Sequence, residues 1–478
     1  MRKLTTLLCA LLVALSSYAL AGETPPLPDH LMPIPEINAP PSVFLPADEV
    51  EVDKEEDDFI DKYWEFLKGE INRVGKMDLY GVTAQLPRGY FSMKWDWGTI
   101  KASRRYNDQR KLGKIIEDIE FGPTDDENWI SIDMGVSGGG GGHTFQFSYG
   151  ITDPLDWYIE LPFTYMDIAF SPRMNTIDEE GNVIHSSIAS ALRIKDTKNF
   201  NGDQFNNFVL PALGRPTLAT RFNGKWLLGD INTGFSWNIY RSKRMSVALT
   251  PRVFLPTGHT PNPNNNILYA TGPEIETGIG GWAAGATQGY DFRIFKYKWW
   301  LDIIASTEFS FAYGFPQKRK YPNFPVPNDK LNIPGLEEYF PDLSGVEGEF
   351  TYTPGLSMDL IAQLQFHIAI FGFGVGYGVQ YMQEPELKAD RNFITMVKNM
   401  ELLGAQTLNA IQLAASVSLL PIIPAEIAFQ WRKVVDGYNA IVFDDFYQVT
   451  LKAVIPVYLL WESEEDARIR KENSKGDW

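Results

Sequence analysis

The sequence predicts an all-β chain, a transmembrane antiparallel β-barrel of about 12 strands, range roughly 10–14, with a short N-terminal amphipathic helix ahead of it. Three observations carry that expectation. The first is alternation: Ile231, Thr233, Phe235, Trp237 and Ile239 point one way, while Asp230, Asn232, Gly234, Ser236 and Asn238 point the other. A strand with aromatic and β-branched residues on one face and small polar ones on the other suits a wall between lipid and water. The second is that no apolar run after the N-terminal segment reaches the roughly 18 residues of a membrane helix. Yet 44% of the residues are hydrophobic and 13% aromatic. A barrel crosses lipid with short alternating segments because closing the sheet pairs every backbone donor and acceptor.

The third is the order of the links. Short ones at 151–154, 241–244, 291–296, 365 and 421–424 alternate with long ones at 101–142, 171–225, 256–272, 315–348, 383–405 and 434–445. An even strand count with sorted links puts tight turns on the periplasmic side and long loops outside. A secreted β-sandwich has no reason to sort its loops so.

Arg2 and Lys3 precede an apolar stretch from Leu4 to Leu15, and Ala19-Leu20-Ala21 supplies the small-x-small site of a signal peptidase. Residues 1–21 are therefore read as a signal peptide, which implies export to the bacterial outer membrane. Cys9, the single cysteine, lies inside it, so the mature chain has no thiol chemistry. The formal charge of −17 argues against a nucleic-acid partner.

Residues 22–56 form a Pro-rich, then acidic linker. Pro25, Pro26, Pro28, Pro33, Pro35, Pro40, Pro41 and Pro46 favour an extended spacer. Across 57–76, Phe59, Ile60, Tyr63, Trp64, Leu67, Ile71 and Val74 recur at helical spacing. That helix either plugs the barrel or docks a periplasmic partner, or it simply covers the barrel mouth.

The barrel itself is expected over 86–461. Phe91, Met93, Trp95 and Trp97 oppose Ser92, Lys94 and Asp96 in its first strand. Phe145, Phe147 and Tyr149 oppose Thr144, Gln146 and Ser148 in the second, with Ile130 to Val136 as an extension interrupted by Gly138 to Gly142. The other strands are expected at 155–170, 226–240, 245–255, 273–289, 297–314, 349–364, 366–382, 406–419, 425–433 and 446–461. A charged tail, 462–478, follows.

In this register Lys94, Asp96, Asp156, Glu160, Asp230, Arg252, Asp302, Glu308, Glu426, Arg432 and Lys452 face the lumen. Charges of both signs there either set up a transverse field that selects polar solutes or pair with one another and fill the interior. In F-G-F-G-V-G-Y-G-V, the glycines Gly372, Gly374, Gly376 and Gly378 also face inward. They either make room for a solute or an infolded segment, or permit a bend in the wall.

Signals for chemistry are weak. The histidines His30, His143, His185, His259 and His367 form no spaced metal motif such as H-E-x-x-H, and no cofactor signature is present. His143 shares the outward phase of Phe145. It reads as a member of an aromatic girdle, with an outer-membrane lipid hydrolase as the less favoured alternative. Asp125-Asp126-Glu127 lacks a calcium-loop spacing and reads as a solvated loop.

Tyr149 to Phe163, Y-G-I-T-D-P-L-D-W-Y-I-E-L-P-F, resembles the turn and strand of the MetA-pathway phenol-degradation family of outer-membrane transporters. Leu228-Gly229-Asp230-Ile231 and Phe254-Leu255-Pro256-Thr257-Gly258 are similar to that family's strand start and strand end. The resemblance spans roughly residues 86–461 and implies passive passage of small, often aromatic or hydrophobic compounds. Expected partners are the lipid bilayer, a small-molecule solute and a periplasmic partner of the leader or tail. The alternative is a non-transporting surface or scaffold barrel that binds through its long loops or N-terminal segment.

Overall fold

The computed structural model describes residues 81–121, 129–177, 201–222, 224–269, 271–297, 300–326, 341–399, 404–418 and 425–457. The expected signal peptide, linker, 57–76 helix, Asp125-Asp126-Glu127 loop and charged tail lie outside the described residues, as do His30 and His185.

Twelve strands close into one antiparallel barrel. They are β1 (Tyr90–Tyr106), β2 (Ser137–Thr152), β3 (Leu155–Ala169), β4 (Ile231–Arg241), β5 (Met245–Leu255) and β6 (Ala283–Tyr297). The second half comprises β7 (Leu301–Gly314), β8 (Gly355–Ile368), β9 (Phe371–Met382), β10 (Gln406–Ser418), β11 (Ala425–Tyr438) and β12 (Ala440–Pro456). Each strand pairs with its neighbours in sequence, and the ring closes where β12 meets β1, Tyr90 opposite Pro456. The even count leaves both barrel termini at one end, together with short links such as 153–154 and 242–244; the long loops gather at the other, which also carries the short β11–β12 link at Asn439.

Alternation sets the two faces. Phe235 and Trp237 on β4, Phe371 and Phe373 on β9, and Ile427 and Phe429 on β11 are each 45–51% exposed on the outer surface. A continuous apolar exterior of this kind would be an aggregation liability in water and is satisfied in hydrocarbon.

Several boundaries differ from the sequence reading. Gly138 to Gly142 do not interrupt β2; they pair with β1 on one side and β3 on the other. A Cβ on Gly140 would stand 2.3 Å from the Tyr165 carbonyl oxygen, so glycine serves close approach there. Trp129–Asp133 is no extension of β2 but the centre of a small sheet between Ile119–Phe121 and Arg173–Ile177. Residues 291–296, expected as a turn, continue β6; Asp291 and Arg293 there point inward to partners on neighbouring elements. Residues 273–282 belong to a loop rather than to that strand. The turn placed at Gln365 falls at Ala369–Ile370, and Glu349–Thr353 leaves the barrel to pair with Gln317–Lys320 and Glu386–Lys388. The long link expected at 434–445 is a tight hairpin. Asn439 takes a φ of 49°, a conformation asparagine tolerates, and joins Tyr438 at the end of β11 to Ala440 at the start of β12.

The long loops build two hydrophobic cores of their own. One, with Ile115, Ile132, Phe170, Phe205, Val209 and Leu218, packs against Ala102, Ile168 and Ile441 at the strand ends. Ala102 and Ile168 share the inward phase of Lys94 and Asp156, so this core sits over the lumen. The second gathers Tyr269, Phe324, Phe350, Phe393 and Val397. Phe393, Met396 and Val397 come from one face of helix α1 (Arg391–Asn399), whose start is capped by Asp390 Oδ1 accepting from Asn392 N at 2.8 Å.

Candidate functional site

Strand register lines up a polar belt on the inner wall. Glu426 on β11 lies opposite Lys452 on β12, which lies opposite Lys94 on β1, which lies opposite Gln146 on β2. Gln146 in turn faces Glu160 on β3, and Glu160 faces Asn232 on β4. Neighbouring belt members stand side by side because antiparallel partners in register project to the same face. The belt borders a cavity of about 600 Å³ inside the barrel.

Of the residues expected at the lumen, Lys94, Asp156, Glu160, Arg252, Glu308, Gly372, Gly374, Glu426 and Lys452 border this cavity. Asp96, Asp230, Asp302, Arg432, Gly376 and Gly378 do not. Asp96 is bound up within the wall, accepting from Gln448 Nε2 at 3.0 Å and pairing with Lys94 at 2.8 Å. Asp302 pairs with Arg293 Nε at 2.9 Å, and the Arg432 guanidinium lies 5.4 Å from the Phe446 ring centre.

Asp230 needs a larger correction. The alternating stretch from Trp226 is broken at Gly229 and Asp230, and β4 begins at Ile231. The Asp230 carboxylate accepts from Gly258 N at 2.8 Å and Ile279 N at 2.6 Å, so it clamps both ends of the loop between β5 and β6. Its charge is consumed by backbone amides, and it is buried rather than presented to a solute.

Two of the inward glycines of β9, Gly372 and Gly376, leave space that neighbouring side chains take; Gly374 and Gly378 have only ordinary contacts. A Cβ on Gly376 would meet Gln412 Nε2 at 2.7 Å. Gln412 lies across that gap, accepting from Gln430 at 2.9 Å and donating to Gln363 at 3.4 Å. Gly372 faces Ser416 and His367 in the same way, while Gly378 has only ordinary contact with Ile361.

The element that sequence reading missed is the segment 81–89, which precedes β1 and enters the turn end of the lumen as a strap. Gly81, Val82, Ala84, Gln85 and Leu86 all border the cavity. Asp291 holds one end, accepting from Val82 N at 3.1 Å and from Thr83 N at 2.8 Å and Thr83 Oγ1 at 2.5 Å. Asp156 holds the other through Leu86 N at 2.8 Å. Gly150 leaves space for it: a Cβ there would stand 2.1 Å from the Pro87 carbonyl oxygen. The available signals were two aspartates and a glycine on inward positions of strands.

Outside the wall, the loop end carries an ion-pair cluster. Arg319 Nη2 reaches both oxygens of Glu276 at 2.8 Å, and its guanidinium lies 3.8 Å from the Tyr352 ring centre. Burial raises the Glu276 pKa and works against the charge on Arg319, but Glu276, Tyr269 and Tyr352 together hold Arg319 above its ordinary value. His259 Nε2 lies 2.5 Å from Glu274 Oε1. His143, on the outer face, accepts from Trp95 Nε1 at 3.0 Å, with the Trp226 ring 4.7 Å away.

These features define a transmembrane β-barrel with a polar interior, a strap at its turn end and folded loops at the other. No family model matches the chain and no curated protein matches it, so the resemblance to the MetA-pathway family rests on its turn motifs. Among solved structures, an outer membrane channel from Pseudomonas putida F1 is similar in fold, with a TM-score of 0.44 and 9% identity over 80% of this chain and 100% of that chain. The NanC porin gives 0.29 and 10% identity over 76% of this chain and 98% of its own. The CymD monoaromatic hydrocarbon channel gives 0.27 and 9%, over 77% and 88%. Likeness at this level carries no argument about solute or activity.

Proposed function

We propose that the chain is an outer-membrane channel for passive movement of small molecules, narrowed at rest by its strap. The observation that carries this reading is the contrast between an apolar exterior and a cavity of about 600 Å³ whose lining mixes charged, amide and hydroxyl side chains with small apolar ones. A wall filled only for stability would pack apolar or mutually paired residues there, since an unpaired buried charge is costly. Hydrated charges facing a common space are the ordinary lining of a solute path.

Reconstitution into liposomes tests the proposal. Flux of small solutes above that of empty vesicles is expected. Its absence, with the protein folded and inserted, would remove the channel function.

The two folded loop cores, one of them over the lumen, favour a second reading, a non-transporting scaffold barrel that binds partners through its loops. Deleting 22–74, the leader and the expected helix, separates the two. A channel retains or gains conductance, whereas a scaffold stays closed.

A further inference from the structure

The polar belt has a charge order of its own. Lys452 and Lys94 stand directly opposite each other across β12 and β1, with Glu426 beside Lys452 on β11. Like charges so placed repel, and the arrangement is relieved when an anionic group lies between them. Lys94 already has Asp96 at 2.8 Å. Among the described residues, neither the Lys452 ammonium nor the Glu426 carboxylate closes a hydrogen bond or ion pair. Both border the cavity. The other belt carboxylate, Glu160, is engaged by the Asn232 amide at 2.7 Å, and Asp156 is held by the strap through Oδ2, with Oδ1 left without a hydrogen bond among the described residues. Lys452 and Glu426 are thus left without a direct partner among the described residues, side by side, next to a second lysine, Lys94, that shares Asp96.

We infer that this part of the belt, Lys94, Lys452 and Glu426, is a binding site for small zwitterions of the amino-acid class. The carboxylate of the solute sits on the lysine pair and its ammonium on Glu426. Neighbouring strands are about 4.8 Å apart, so the two halves of the site are spaced for charges a few ångströms apart on one small molecule. The inference rests on the channel reading and gives that path a solute class. It departs from the hydrophobic solutes that the family resemblance implies. A hydrocarbon in this space would strip water from charged groups and return no hydrogen bond to them.

The test is calorimetric titration of the full chain, folded in detergent, with glycine, with methylammonium and acetate as single-charge probes, and with glycerol as the uncharged control. The same panel is followed for uptake into liposomes. Glycine is expected to bind, with methylammonium and acetate each weaker by about tenfold or more, as the loss of one charge-assisted contact implies, and glycerol weaker still. Lys452→Met and Glu426→Gln should each weaken glycine by a similar factor, with far-UV circular dichroism confirming that both variants fold. Glycine indistinguishable from glycerol, or unaffected by both substitutions, overturns the site. Binding without any flux keeps the site and removes the channel; flux of all four solutes without glycine binding keeps the channel and removes the site.

Discussion

The hydroxyl and the backbone N–H of Thr83 both end on one oxygen of Asp291, Oδ2, at 2.5 and 2.8 Å. Asp291 Oδ1 meanwhile accepts from Ser306 at 2.5 Å and from Val82 N at 3.1 Å. One carboxylate on β6 therefore ties the strap to the wall. Replacing it by alanine strands the amides of Val82 and Thr83 in a narrow space. Leaving buried donors unpaired costs about 1–3 kcal/mol. For Asp291→Ala, amide hydrogen exchange at Val82 and Thr83 should accelerate by roughly thirtyfold, the equivalent of about 2 kcal/mol. Unchanged protection at both amides would show that the strap is held by something else.

Gly150→Ala attacks the same strap by crowding rather than by loss of a bond. The new methyl group would stand 2.1 Å from the Pro87 carbonyl oxygen and 2.9 Å from that of Leu86. Backbone cannot yield as a side-chain tip does, so the strap is expected to shift and Leu86 N to lose Asp156. Because both substitutions release one element, their effects on solute flux should add to less than the sum. Full additivity in the double variant would mean that they act on separate elements.

Phe393 anchors the second loop core, completely buried against Tyr269, Tyr321 and Phe350. Phe393→Ala should cost about 3–5 kcal/mol, as for large-to-small core changes generally. The loss is local to the loops: limited proteolysis should cut the variant within 315–405 while the barrel strands stay protected. Cleavage spread equally through the strands would show that loops and barrel unfold together.

At the first loop core, burial pushes the Asp133 carboxyl up, yet Lys114 Nζ at 2.8 Å and the Gly135 N–H bring it below the usual carboxylate range. Because the folded pKa is depressed, this contribution is fully present above the unfolded value of about 4. It is lost as pH falls through the folded value. Hydrogen exchange across 129–135, corrected for intrinsic rates, should therefore rise below about pH 4, and Asp133→Asn should remove that acid step. An acid step that survives Asp133→Asn would assign it to other groups.

The barrel was legible because period-two alternation survives in a single sequence: Phe371 to Val379 shows its two faces without any partner strand. The strap was not legible. Residues 81–89 carry no periodicity, and the acceptor for Thr83 lies 208 residues away in sequence. Asp291 and Arg293 resembled turn residues because they are polar; their partners, Thr83 and Asp302, were needed to reveal them as inward strand positions. Asp230 shows the reverse failure. Its alternation phase was inward, but a local break at Gly229 turned it into a clamp for Gly258 and Ile279. The loop cores escaped because their aromatic residues come from separate long links and meet only in three dimensions.

Single-channel recording in planar bilayers, with the full chain beside Asp291→Ala, tests the central claim most directly. Small conductance steps are expected for the unmodified chain and larger ones for the variant, because a strap without its anchor no longer narrows the lumen. Silent bilayers for both proteins, each folded and inserted, would contradict it.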